Sequence, residues 1–121
     1  MKYNIKLKTG KDIENLRESG RRLSLVLNIV EKEIKEGVST KFLNDIAYKT
    51  ITEMGDKPAF LNYKPFGASY PYPGSICISV NDEVVHGIGD NRILKEGDIV
   101  GIDGGVIHKG MISQIVVLLL I

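Results

Sequence analysis

The 121-residue sequence has one cysteine, no tryptophan, four prolines and only 7% aromatic residues. A lone Cys77 closes no internal disulfide, which excludes a small scaffold stapled by its own disulfides. Neither sign of charge dominates: sixteen basic and fifteen acidic side chains leave a net charge of +1. These charges are interspersed rather than massed, so no nucleic-acid partner is implied. No apolar run approaches the roughly 20 residues that a membrane-crossing helix needs; the run at 115–121 has strand length. The opening residues Met1-Lys2-Tyr3-Asn4-Ile5-Lys6-Leu7 lack the apolar stretch of a signal peptide, and a cytoplasmic location is expected. Internal repeats and low-complexity segments are also missing from the sequence.

The composition is that of a globular protein, 43% hydrophobic and 26% charged, and the length suits a single domain over residues 1–121. Over residues 11–36, Ile13, Leu16, Leu23, Val26, Leu27, Val30 and Ile34 recur at roughly helical spacing, predicting an amphipathic helix that Gly37 stops. Gly20 interrupts that pattern at about 1 kcal/mol relative to alanine, which points to close packing against a sheet. Ser39 suits the N-cap of a second helix reaching residue 54, with Phe42, Leu43, Ile46, Ala47 and Ile51 on its buried side and Gly55 beyond. Residues 3–8 alternate in polarity and predict a short edge strand. Residues 58–73, rich in Tyr, Phe, Pro and Gly, predict a loop over a pocket.

Beyond the loop the pattern turns to strands. Ile76, Ile78 and Val80 alternate with small or polar residues, Asn81-Asp82 signals a turn, and Val84-Val85-His86 predicts a second short strand. After the turn at Lys95-Glu96-Gly97-Asp98, residues 99–106 predict a strand in which Gly104 and Gly105 admit another backbone or a ligand. A hairpin around His108-Lys109 pairs Ile107 with Gly110 and sets Gln114 opposite Asp103, leaving His108 as a solvated turn residue. The strand at 115–121 is apolar on both faces and needs a partner chain or a further half of the fold to cover it; uncovered, it is an aggregation hazard. The fold class is α+β, two helices packed on one face of a mainly antiparallel sheet.

Asp103 is the first side chain to explain, because a carboxylate inside an apolar strand is costly to bury unless it is paired or coordinates a cation. It is open at this point to capping a bulge, pairing with a lysine or ligating a metal. His86 beside Gly87 reads as a turn histidine or as a site residue. Cys77 is either an inert core thiol or part of a pocket, with no visible activating constellation. Phe60, Tyr63, Phe66, Tyr70 and Tyr72 either anchor a loop or form an apolar pocket.

The run Tyr72-Pro73-Gly74-Ser75-Ile76-Cys77-Ile78-Ser79-Val80-Asn81, followed by Val84-Val85-His86-Gly87-Ile88, Leu94-Lys95-Glu96-Gly97-Asp98-Ile99-Val100 and Ile102-Asp103, resembles the first half of a type I methionine aminopeptidase. The resemblance extends upstream through Ile13-Glu14-Asn15-Leu16-Arg17-Glu18-Ser19-Gly20-Arg21 and Gly37-Val38-Ser39-Thr40. It implies half of a pita-bread fold and hydrolytic removal of the N-terminal methionine from nascent proteins, whose N-terminal peptides are then the partners. It also implies a dinuclear centre of divalent cobalt, manganese, iron or zinc type. By resemblance, His86 is the catalytic histidine that contacts the scissile peptide, and Phe60, Tyr63, Tyr72 and Cys77 line the methionine side-chain pocket. Asp103 is the first metal ligand. The segment between Tyr63 and Tyr72 is longer than is usual for the family.

Two departures weigh on activity. The position implied for the second aspartate ligand holds Gln114, and the histidine and two glutamates that complete such a centre are missing, so four of the five expected ligands are lacking. One carboxylate and a neutral amide do not neutralise two divalent ions, and hard cations need more oxygen ligands than this segment offers. The expectation is a truncated chain, inactive alone. An altered reading frame near Ser113 would account for both Gln114 and the apolar tail. The alternative is a non-catalytic pita-bread-like module that binds a peptide or a protein.

Overall fold

The computed structural model describes residues 5–121. Thr9 caps the first helix, α1 (Gly10–Glu33), through a reciprocal capping box with Asp12. Ser39 caps α2 (Thr40–Glu53), its hydroxyl accepting from the Phe42 amide. α2 lies within its predicted stretch, and α1 begins one residue before the predicted start and ends three residues before the predicted end. The first ends at a C-cap on Ile34, before Gly37, whose φ of +86° turns the chain toward α2. Strands β1 (Lys57–Pro58), β2 (Ile76–Val80), β3 (Ile99–His108) and β4 (Met111–Leu120) form one antiparallel sheet. β3 is its spine: β1 and β2 pair with its two ends along one side, and β4 runs along the other.

Alternation along β3 sorts its two faces. Val100, Ile102 and Val106 are buried in one core with Leu23, Val26, Leu27 and Val30 of α1 and Leu43, Ala47 and Ile51 of α2. Gly104 belongs to that face, where a β-carbon would sit 3.2 Å from Leu27 and 3.3 Å from Leu23. Gly105 faces the other way, 2.9 Å from the Ala59 β-carbon and 3.0 Å from the Phe60 ring by the same measure. The close neighbours admitted by this glycine pair are therefore side chains of the protein itself.

Several local expectations fail for tertiary reasons. Residues 5–8 form no strand, since Ile5 and Leu7 stand exposed with no pairing neighbour among the described residues, and the start of that predicted strand lies outside them. Residues 84–86 form no strand either; His86 adopts a left-handed φ of 60° that breaks extended pairing. Phe42 and Ile13 of the predicted apolar faces are exposed. Gly20 has no close packing partner among the described residues, because no atom outside its own stretch of helix lies within 4 Å of its would-be β-carbon. Gly20→Ala is accordingly expected to stabilise the chain by about 0.5–1 kcal/mol through helix propensity and a less flexible unfolded chain, measured as a higher urea midpoint. A loss of stability would mean that the α1 surface is in contact with something at that point.

The hairpin departs from its predicted register by two residues. Lys109 and Gly110 form a two-residue turn with positive φ at both positions, 48° and 77°, and His108 pairs with Met111. Asp103 therefore pairs with Val116, and Gln114 with Gly105. A slip of two preserves the face, so Gln114 still stands diagonal to Asp103 on the same side of the sheet. The longer strand carries His108 onto the helix face, where it is buried rather than solvated. Its Nδ1 lies 2.7 Å from Asp56 Oδ1, and Arg22 reaches the other Asp56 oxygen at 3.1 Å.

β4 is an edge strand with a divided character. Val117, Leu119 and Ile121 pack on the core, whereas Val116, Leu118 and Leu120 are 63%, 72% and 75% exposed. The expected burial of both faces is met on one side only, leaving an apolar face beside a strand edge that pairs with no other described residue.

Candidate functional site

On the sheet face opposite the helices lies a cavity of about 630 Å³, lined by Phe60, Tyr63, Tyr70, Tyr72, Cys77, His86, Asp103 and Gln114 among others. Every site residue expected from the sequence lines it. Pro65, Ala68, Ser69 and Tyr70 of the 58–73 loop complete the wall, so this segment does lie over a pocket. Phe66, in the same loop, is fully exposed and takes no part.

Hydrogen bonds fix the loop's two ends to each other. The Tyr72 amide donates to the Tyr63 carbonyl at 2.8 Å, and the Asn62 amide donates to the Tyr72 carbonyl at 2.9 Å. The Phe60 and Tyr72 rings meet edge to face, their centroids 6.5 Å apart. The Tyr72 hydroxyl, 3.1 Å from the Ile76 carbonyl and 3.0 Å from the Gly87 carbonyl, ties the loop to β2 and to the His86 turn. Burial holds its phenol well above the ordinary range, with Cys77 and Asp103 adding to the effect. Tyr72 is therefore a neutral donor at physiological pH.

Cys77 lies directly opposite Asp103 in the β2–β3 register. Its thiol is pushed up by burial, and the Asp103 charge adds to that shift, while a hydrogen bond with Tyr72 opposes it. A thiol shifted upward is a poor nucleophile at neutral pH, so Cys77 contributes a soft apolar wall. His86 is presented by Gly87, whose carbonyl accepts from the Ile78 amide at 2.8 Å and whose own amide donates to Ser79 Oγ at 3.1 Å. That attachment leaves the imidazole exposed and among the residues that line the cavity.

Asp103 is where the donor set can be tested against a metal. Gln114 Nε2 donates to both carboxylate oxygens, at 3.0 Å each. The partner that this strand carboxylate requires is thus an amide eleven residues further along the chain, neither a bulge nor a lysine. An amide nitrogen offers hydrogens and no lone pair to a cation. Among the described residues, no group of three or more His, Cys, Asp and Glu side chains gathers where it could hold a metal ion. The residues present do not fit a dinuclear divalent centre.

Sequence reasoning missed the other buried polar cluster. Asp56 follows Gly55 and reads as an ordinary turn residue, yet it is buried between Arg22 and His108, and Arg22 also bonds Glu18 and the Met54 carbonyl. The pairing joins residues 52 positions apart, and no local signal announces it.

A half-sheet with an aromatic pocket, a histidine on a tight turn and a strand aspartate facing the same space defines the class to which this chain is related. Residues 14–121 match metallopeptidase family M24, and the chain belongs to that family. It is similar to the methionine aminopeptidase of Aquifex aeolicus, 46% identical over 107 residues that make up 88% of this chain and 42% of that protein. It is likewise similar to methionine aminopeptidase 1 of Bacillus subtilis, 45% identical over 103 residues, 85% of this chain and 39% of that protein. The crystal structure of the Rickettsia prowazekii methionine aminopeptidase superimposes with a TM-score of 0.87 at 37% identity, covering 96% of this chain and 44% of that one. The chain therefore spans about two fifths of the length of these relatives, and its architecture is part of the pita-bread fold. Among the described residues no helix is long and apolar enough to cross a membrane.

Proposed function

We propose that these residues form the methionine-binding part of a methionine aminopeptidase, and that the chain is inactive on its own. The observation that carries this reading is the cavity, which collects Phe60, Tyr63, Tyr72, Cys77, His86 and Asp103 from separate segments around one space. In this reading the rings of Phe60, Tyr63 and Tyr72 and the thiol of Cys77 enclose an unbranched thioether side chain, chosen by shape and apolarity. His86, exposed at the cavity, donates to or accepts from the peptide linkage that follows the first residue. Asp103 stands where the first carboxylate of the metal centre belongs, but no hydrolytic step is available through it while Gln114 occupies its oxygens.

The length difference from the relatives supports assigning the remaining catalytic groups to a further segment. The same segment, or a partner chain, would cover the apolar face of β4. N-terminal peptides of nascent proteins are the substrate class, and a cytoplasmic location accords with that role.

The expected result is no turnover of a Met-Ala-type peptide by the purified 121-residue chain with cobalt, manganese, iron or zinc. Residues 1–113 joined to the remaining length of the Aquifex aeolicus methionine aminopeptidase should give metal-dependent release of methionine. Turnover by the isolated chain would overturn the claim of inactivity, and a folded but inactive chimera would overturn the proposed role of the pocket.

A further inference from the structure

The contact between Asp103 and Gln114 gives the pocket a chemistry different from that of a two-metal centre. A carboxylate offers about four lone-pair positions, and the two hydrogens of one amide occupy at most two of them. Gln114 therefore satisfies Asp103 in part, on the side toward β4, and leaves acceptor capacity on a side chain that lines the cavity.

Apart from that carboxylate, the lining consists of aromatic rings, Pro65, Ala68, Ser69, Cys77, His86 and the Gln114 amide; among the described residues it includes no lysine, arginine or second acidic side chain. The space thus presents one carboxylate among aromatic side chains. Two divalent cations would bring four positive charges to it, whereas an ammonium brings one. Three N–H donors suit the open lone pairs of Asp103, and Tyr63, Tyr70 and Tyr72 line the same space with aromatic surface, which attracts an organic cation and covers an apolar tail.

We propose that Gln114 converts this pocket into a metal-free receptor for a primary ammonium carrying an unbranched apolar side chain. This rests on the reading of the cavity as a chain-terminus pocket and adds the residue that sets its ligand class. Gln114 is the specificity-determining side chain: its amide bars the divalent ion and holds Asp103 for the monocation. Replacing it by aspartate returns a second carboxylate to the same diagonal position, where two acidic groups grip a cation between them.

The test is calorimetric titration of the 121-residue chain with L-methioninamide in excess chelator, alongside the deamino analogue of the same length and Mn²⁺ alone. Saturable binding of methioninamide without metal is expected, at least tenfold tighter than binding of the deamino analogue. Asp103→Asn, with its fold checked by circular dichroism, should abolish that difference. Gln114→Asp should raise Mn²⁺ affinity at least tenfold over the parent chain. Equal affinity for the two analogues, binding of methioninamide only after metal is added, or no binding at millimolar concentration would each overturn the proposal. The analogue comparison needs no variant and stands even if a substitution impairs folding. If the chimera cleaves peptides while the isolated chain fails to bind methioninamide, this inference falls and the functional assignment survives; an inactive chimera with metal-free binding gives the reverse.

Discussion

Replacing Asp56 with alanine is expected to lower the unfolding free energy by about 3–5 kcal/mol, the range for removing one partner from a buried ion pair. The carboxylate is 3% exposed and joins His108 Nδ1 at 2.7 Å with Arg22 at 3.1 Å. Removing it leaves an imidazole that is 8% exposed without its partner and a partly buried guanidinium with Glu18 as its remaining counter-ion, and the desolvation of the imidazole is not recovered elsewhere. The network links the middle of α1, the segment after α2 and the end of β3, so the loss should be global. Urea unfolding followed by far-ultraviolet circular dichroism measures it. Asp56→Asn, which keeps the size and an acceptor oxygen, should cost less than Asp56→Ala. A double-mutant cycle with His108→Ala should give a coupling energy above about 0.5 kcal/mol, as for groups in direct contact. Losses below about 1 kcal/mol for Asp56→Ala would mean that water replaces the carboxylate at no great cost.

The second large effect is expected at Gly87. A β-carbon there would lie 2.1 Å from the Ile78 carbonyl oxygen, 2.7 Å from its carbonyl carbon and 2.9 Å from Ser79 Cα. Overpacking costs about 1–3 kcal/mol where side chains yield. Here the opposing atoms are backbone of β2, itself paired to β3, so Gly87→Ala should cost about 3 kcal/mol or more. Gly97→Ala provides the contrast. Gly97 has a φ of +87° but open space around it, so only the left-handed conformation is penalised, by about 1–2 kcal/mol. The difference in urea midpoint between the two variants separates steric exclusion from conformational cost. Gly87→Ala should also displace His86 and weaken methioninamide binding, because the same amide and carbonyl hold the turn on β2. Comparable stabilities for the two variants would refute the close-approach account.

Ser39, at the boundary of α2, was legible because capping is a local event: a hydroxyl three residues before an amide needs no tertiary partner. β2 and β3 were legible for a similar reason, since alternation with period two is written into each segment. His86 failed as a strand residue because its conformation is imposed by Gly87 docking on Ser79 and Ile78, eight and nine residues back. β1 escaped notice because two residues at a proline carry no period, and only β3 at Val106 and Ile107 makes them a strand.

Taken alone, the sequence determined the two helices, the strand alternation and the family resemblance, and through that resemblance it singled out Phe60, Tyr63, Tyr72, Cys77, His86 and Asp103. Each of these depends on spacing within a segment or on motif identity. The tertiary structure decided the hairpin register, the burial of His108 against Asp56, and the use of Gln114 as the donor that holds Asp103. The physical reason is that a side chain's electrostatic partner is whatever the packed fold places within about 3 Å of it, and for Asp56 and His108 that neighbour lies 52 residues away along the chain.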